Sequence, residues 1–335
     1  MLRFVDDSFP GITRRRRGRY WMYFDSDGRR ITDRDEIDRL DAIGLPPAYT
    51  RAWLCPVPNG HIQAIGYDAR GRKQYRYHPE FRNRQDAAKY DRCAAFGQAL
   101  PKLRKKVEED LAGQKLSRDA VVAAVVRLLD QNHLRVGNET YARKNNSFGA
   151  TTLRSRHAKL LGRSVKMRFK GKGGIERELT ITDRTLIRIV RRCNDLPGQH
   201  LFQYVDDDGV PQPVTSSDVN DYIRDAMGDE FTAKHFRTWS ASAIAFEQIC
   251  NAGEEGVSLK EMLEPVAAAL GNTPAISRKS YVHPDLIEAV KNNSRALQRR
   301  LRCPRATRYL SSAERGLIAF LEGDTVSIGE EQKAA

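Results

Sequence analysis

The spacing of apolar residues changes character near residue 90. Before it, short runs of strand composition dominate, at residues 19–24 (RYWMYF), 52–55 and 61–67. Turn chemistry separates them at Asp25-Ser26-Asp27-Gly28 and Pro56-Val57-Pro58-Asn59-Gly60, because Gly, Asn, Asp and Pro supply the backbone angles that tight turns need. Residues 37–43 predict a short helix. After residue 90 the apolar positions recur at helical spacing. Ser117 is placed to cap a helix carrying Val121, Val122, Val125, Leu128 and Leu129, and Ser217 to cap another carrying Val219, Tyr222, Ile223 and Met227. Residues 239–249 read as a buried helix. Ser258-Leu259-Lys260-Glu261 is a capping box leading into residues 262–270, with Gly271 as the stop and Pro265 expected to bend or interrupt the helix. One stretch breaks the helical part. Val165, Met167 and Phe169 alternate with polar residues, and a second run, residues 175–179, follows Gly171-Lys172-Gly173-Gly174, which predicts a β-hairpin.

This pattern predicts an α+β protein. Residues 1–90 form a small β-rich domain, residues 91–312 a mostly helical domain containing a hairpin or small sheet, and residues 313–335 a polar, partly frayed tail. A chain of 335 residues, 40% hydrophobic, is long enough for two such domains. Neither an apolar leader nor a run of ~20 apolar residues is present, so a soluble, cytoplasmic protein is expected. The five cysteines, Cys55, Cys93, Cys193, Cys250 and Cys303, are odd in number and lack C-x-x-C spacing, which suggests neither a disulfide framework nor a zinc site. None of the seven histidines has a spaced partner of metal-ligand type, and no metal or cofactor is expected.

Charge adds a partner. The chain carries 57 Lys and Arg against 43 Asp and Glu, a net +14, with an isoelectric point near 9.7. Such a surplus points to an acidic macromolecule, most often nucleic acid. A solvated basic surface explains the charge equally well. For the Arg14-Arg15-Arg16-Arg17 run, a phosphate contact and a disordered basic arm are comparable readings.

Four separated residues suggest chemistry: Arg135, Lys172, Arg237 and Tyr281. A phenol oxygen can attack a phosphodiester, guanidinium forks can hold its charge, and an ammonium can protonate the leaving oxygen. Singly each is weak. Arg135, next to Gly137, reads first as a surface arginine at a helix end, and Gly137 would let the backbone approach a ligand. Lys172, at the hairpin tip, reads first as a turn charge. Lys234 and Arg237 share one helical face at a helix start, where the dipole disfavours cations. Tyr281 reads first as a core tyrosine, in a segment that Thr273-Pro274 and Pro284 should keep from being helical. Asn272 either donates an amide hydrogen bond or merely ends a helix.

Jointly, Arg135-Val136-Gly137-Asn138-Glu139, Lys172, Lys234-x-x-Arg237 and Gly271-Asn272-Thr273-Pro274-Ala275-Ile276-Ser277-Arg278-Lys279-Ser280-Tyr281 resemble type IB DNA topoisomerases in order and spacing. So do His61-Ile62-Gln63-Ala64 and the segment from Tyr67 to Tyr77. The likeness spans about residues 15–300 and is to the compact poxvirus-like and bacterial branch. It implies a monomeric, nucleoid-associated clamp that relaxes supercoiled duplex DNA without ATP or metal. Tyr281 would form a DNA-(3′-phosphotyrosyl) intermediate, Arg135 and Arg237 would stabilise the transition state, and Lys172 would act as general acid. Asn272 stands where many members carry histidine. DNA contacts are implied for Gln74, Tyr75, Tyr77, Tyr141, Ser217 and Lys234. A tyrosine recombinase is the alternative, but its usual His-x-x-Arg histidine would fall at Lys234, with His235 one place out of register. A non-catalytic basic DNA-binding protein is a second alternative, which leaves the occupied catalytic positions unexplained.

Overall fold

A computed structural model of the chain describes residues 1–323 apart from 70, 114, 253–254 and 301–302. The chain divides into two compact units, Met1–Lys89 and a second from Tyr90 onward. In the first, β1 (Thr13–Arg17) pairs antiparallel with β2 (Tyr20–Phe24), α1 (Arg34–Ala42) follows, and β3 (Thr50–Leu54), β4 (Ile62–Tyr67) and β5 (Lys73–Tyr77) form an antiparallel sheet in that order. Ile12, Tyr23, Leu40, Leu45, Leu54 and Ala64 make its core. The arginine run is strand β1, not a disordered arm. Arg14 is held by the Leu45 and Pro46 carbonyls and lies over the Trp21 ring, so part of the run is structural. α2 (Pro79–Asp91) leads out of this unit.

The second unit is mostly helical. α3 (Cys93–Ala112), α4 (Arg118–Asn132) and α5 (Glu139–Asn145) precede a sheet of order β6 (Ala158–Leu161), β7 (Ser164–Lys170), β8 (Glu176–Ile181). α6 (Arg184–Asn194), a small pair β9 (Gln203–Val205) and β10 (Pro211–Pro213), and α7 (Ser216–Met227) follow. The chain continues through α8 (Ala233–Asn251), α9 (Leu259–Leu270), α10 (Pro274–Ser280), α11 (Pro284–Arg300) and α12 (Ser312–Leu321). α4 is the axis of the core: residues 120–126, Leu128 and Leu129 are all buried, and Ser117 caps it by accepting from the Ala120 amide at 3.2 Å. Trp239 on α8 is 1% exposed and packs against α3 at Gly97, where an added Cβ would lie 2.2 Å from the ring.

Several local expectations change. Thr215, not Ser217, caps α7, and it forms a capping box with Asp218; Ser217 sits exposed in the first turn. Ser258 and Glu261 form the expected box and Gly271 ends α9 at φ 61°, but Pro265 lies inside a continuous helix. Buried contacts of Met262, Leu263, Val266 and Leu270 outweigh one forgone backbone bond. The supposed tail begins with α12. Leu317 is fully buried there, and Glu314 accepts from Arg104 at 2.7 and 2.9 Å and from Trp239 at 3.1 Å. Arg104 also pairs with Asp130 at 2.8 Å, so α3, α4, α8 and α12 are tied by one network. Residues 324–335 lie outside the described residues. Glu314→Ala, which leaves Arg104 and Trp239 short of a partner, is expected to cost about 3 kcal/mol. Thermal unfolding should show Tm lowered by roughly 6–12 °C; an unchanged Tm would show the network to be dispensable.

Candidate active site

Three chain segments meet at Tyr281. The first leaves α4 through His133, whose left-handed backbone (φ 54°) ends the helix. Arg135 and Val136 then run along residues 149–151, their carbonyls accepting from the Ala150 and Thr151 amides at 2.8 and 2.7 Å. Gly137 has φ 106°, and an added Cβ would lie 2.9 Å from Thr152 Oγ1. Its small size therefore serves close packing within the protein.

The second segment is the first turn of α8. Lys234 is exposed, whereas Arg237 is buried, 5% exposed. Arg237 donates through Nη1 to the His133 carbonyl and through Nη2 to the Leu270 carbonyl at 3.1 Å. A buried guanidinium at a helix start runs against the dipole, and these two carbonyls are what hold it there. Between the two cations, His235 faces the core. It packs against Phe96 and Phe231 and accepts the Thr232 amide through Nδ1 at 3.0 Å. Burial, reinforced by Lys234, lowers its pKa to about 4, so it is a neutral capping residue.

The third segment carries Asn272 and Tyr281. Gly271 turns the chain out of α9, and Thr273 caps α10, with Pro274 in its first turn. Pro is well suited there, since its amide would have no helical partner anyway. The expected non-helical stretch is therefore a short helix, and Tyr281 stands at its C-terminal end. Its amide is bonded to the Ser277 carbonyl at 3.0 Å.

These segments bring two of the sequence-selected residues, Arg135 and Arg237, onto Tyr281, with Asn272 beside the arginines. Arg135 Nη2 lies 3.2 Å from Tyr281 Oη and 3.3 Å from the Asn272 side chain. The Arg237 guanidinium carbon lies 4.8 Å from the centre of the Tyr281 ring. The Asn272 amide sits between the two arginines. With its oxygen turned to Arg237 Nη2 (3.1 Å), its NH₂ donates to the Gly271 carbonyl at 3.2 Å. Lys172 lies in the 3₁₀ turn Lys172–Gly174 between β7 and β8, exposed, and borders one small cleft with Arg135, Arg177, Arg237 and Gly271.

Clustered cations set the electrostatics. Burial pushes the Tyr281 phenol up, but the charges and hydrogen bonds of Arg135 and Arg237 outweigh it, and its pKa falls below the ordinary value near 10. Burial, then the Arg135 charge, lowers Arg237 to about 10. His133 is pushed below 6.5 chiefly by burial, with Arg237 and Arg177 adding to this against the pull of Asp130. Such a group of close positive charges is poised for an anion that would relieve their mutual repulsion.

The remaining predicted contacts stand on other elements. Tyr141 on α5 is 56% exposed and Ser217 lies on α7. Gln74, Tyr75 and Tyr77 lie on β5 of the first unit, with the two tyrosines stacked at 5.9 Å as i and i+2 residues of one strand face. Two residues bordering the cleft, His133 and Arg177, escaped the sequence reading. Arg177 had a signal, since it occupies an inward position of β8 in register with Leu179 and Ile181.

Residues 78–306 match the family model for the catalytic core of eukaryotic DNA topoisomerase I. Residues 20–68 match that for the N-terminal domain of bacterial DNA topoisomerase IB. The chain belongs to the type IB DNA topoisomerase family. Among its relatives, the DNA topoisomerase 1B of Acanthamoeba polyphaga mimivirus is 32% identical over 84% of this chain and 88% of that protein. The DNA topoisomerase 1B of Vaccinia virus is 20% identical over 69% of this chain and 73% of its own length. A solved XerH site-specific recombinase, in a post-cleavage complex with a palindromic difH substrate, is similar over 56% of this chain and 49% of its own. Its identity is 17% and its TM-score 0.36.

Proposed function

We propose that this topoisomerase relaxes supercoiled duplex DNA by cutting and rejoining one strand through a DNA-(3′-phosphotyrosyl) intermediate. The observation that carries this reading is the Tyr281 phenol held 3.2 Å from Arg135 with Arg237 against its ring. Tyr281 Oη attacks the scissile phosphorus, the new P–O bond holds the 3′ end, and the bond to O5′ breaks. Lys172 gives O5′ its proton. Arg135, Arg237 and the Asn272 amide bind the non-bridging oxygens, whose charge grows in the transition state. The cut strand swivels, and the 5′-hydroxyl attacks back along the same path. Because transesterification conserves the bond energy in the phosphotyrosine, ATP is not required, and the arginines supply the charge that a metal supplies elsewhere. Gln74, Tyr75, Tyr77, Tyr141, Ser217 and Lys234 contact the duplex, which the enzyme encircles as a monomer on the nucleoid. The test is to trap a denaturant-resistant protein–DNA adduct and map both ends. A 3′ linkage to Tyr281 supports the reading, and a 5′ linkage or a different residue overturns it.

A pH profile follows. Asn272 does not titrate, and a lowered His133 pKa keeps that imidazole neutral above its unperturbed value near ~6.5. The cleavage rate should therefore vary less between pH 5 and 8 than it would with a histidine at position 272. Single-turnover cleavage measured across that range checks this. A steep rise governed by a group near ~6.5 and abolished by Asn272→Ala would contradict it.

A further inference from the structure

Arg177 stands where strand alternation calls for an apolar side chain: Leu179 and Ile181, two and four residues on, are half-buried and buried. Its stem and head rest on two glycines. A Cβ added at Gly171 would lie 3.3 Å from Arg177 Cγ, and one added at Gly271 would lie 1.9 Å from Nη1. Nη2 donates to the Ala269 carbonyl at 3.1 Å, in the last turn of α9, where a cation is favoured by the helix dipole. One side chain thus touches the residue before Lys172 and the residue before Asn272.

We propose that Arg177 is a positioning residue for strand cleavage, locking the Lys172 turn against the Gly271–Asn272 turn so that general acid and amide meet the same phosphate. This rests on the function proposed above. Arg177 acts through its neighbours, and its contribution lies mainly in the placement of the proton donor. A misplacement of about 1 Å in such a group costs on the order of 100-fold in rate.

The test compares wild type, Arg177→Met and Arg177→Lys in single-turnover cleavage of two duplexes. One has the ordinary bridging O5′ at the scissile phosphate, the other a bridging sulfur, which departs as a thiolate and needs no general acid. Arg177→Met should cleave the oxygen duplex about 100-fold more slowly, yet lose only a few-fold on the sulfur duplex, the residual being the share carried by Asn272. DNA affinity should stay near wild type, and Arg177→Lys should recover part of the rate. Equal losses on both duplexes, or no loss, would overturn the proposal. Should Arg177→Met fold poorly, the same oxygen-to-sulfur contrast is read in Arg177→Lys. The wild-type adduct is mapped first. If none forms on Tyr281, the proposed function fails; if it forms and the losses are equal, only the role of Arg177 fails.

Discussion

Tyr281→Phe is expected to abolish both plasmid relaxation and the covalent protein–DNA adduct, with a loss of at least ~10⁴-fold in cleavage rate, as for removal of a nucleophile elsewhere. The substitution takes away one oxygen atom. Phenylalanine keeps the ring that packs beneath Arg237, and the backbone bond to Ser277 remains. Arg135 loses a hydrogen-bond acceptor but stays partly exposed, with Asn272 at 3.3 Å. Stability should therefore change by less than about 1 kcal/mol, and DNA binding should persist, because the cations are untouched. Agarose-gel relaxation, denaturing-gel detection of the adduct and a DNA-binding titration separate these effects. Relaxation retained in full by Tyr281→Phe would remove the tyrosine from the mechanism.

Arg237→Ala should be the next most severe change, and it should act in two ways. Loss of one donor to a developing oxyanion costs about 10²–10³-fold in rate. The same substitution strands the His133 and Leu270 carbonyls that the guanidinium satisfies, and each buried unsatisfied group costs about 1–3 kcal/mol. A marked fall in cleavage rate together with a lower Tm is thus expected. Arg135→Ala provides the contrast. Its described contacts run to the side chains of Asn272 and Tyr281, not to backbone carbonyls, so its rate should fall similarly with a much smaller drop in Tm. Arg237→Lys should not restore cleavage, since an ammonium cannot span two carbonyls and a phosphate as a planar fork does. Cleavage by Arg237→Ala within tenfold of wild type would remove Arg237 from the charge clamp and leave it a structural residue.

Much of the fold was legible where one physical signal dominates locally. The apolar periodicity of α4, the buried run of α8 and the capping box and glycine stop of α9 all depend on residues a few places apart. The β7–β8 hairpin was readable from the alternation of its first strand and the glycine-rich turn that follows it. What escaped involved competition between local preference and distant packing. Pro265 argues for a break, but the buried face of α9 holds the helix together. The polar residues around Ser311 and Glu314 suggest a tail, whereas Arg104, more than 200 positions away, anchors them. Thr273-Pro274 in isolation reads as helix-breaking because proline restricts the residue before it. At the first turn of a new helix the same pair is a start signal.

The candidate site divides along the same line. Which side chains are available for phosphoryl chemistry, and in what order, is written in the chain, because their chemistry travels with residue type. Their company is not. Arg135 and Tyr281 are separated by 146 positions, and Arg135 and Asn272 by 137, so no periodic signal can relate them. Burial makes Arg237 an anchored fork in place of a solvated first-turn charge, and turns its neighbour His235 into a cap. Packing across two glycines likewise makes Arg177 a neighbour of both the Lys172 turn and the Gly271–Asn272 turn. Contacts of this kind arise only once the chain has closed on itself, since desolvation and close approach depend on atoms far apart in sequence.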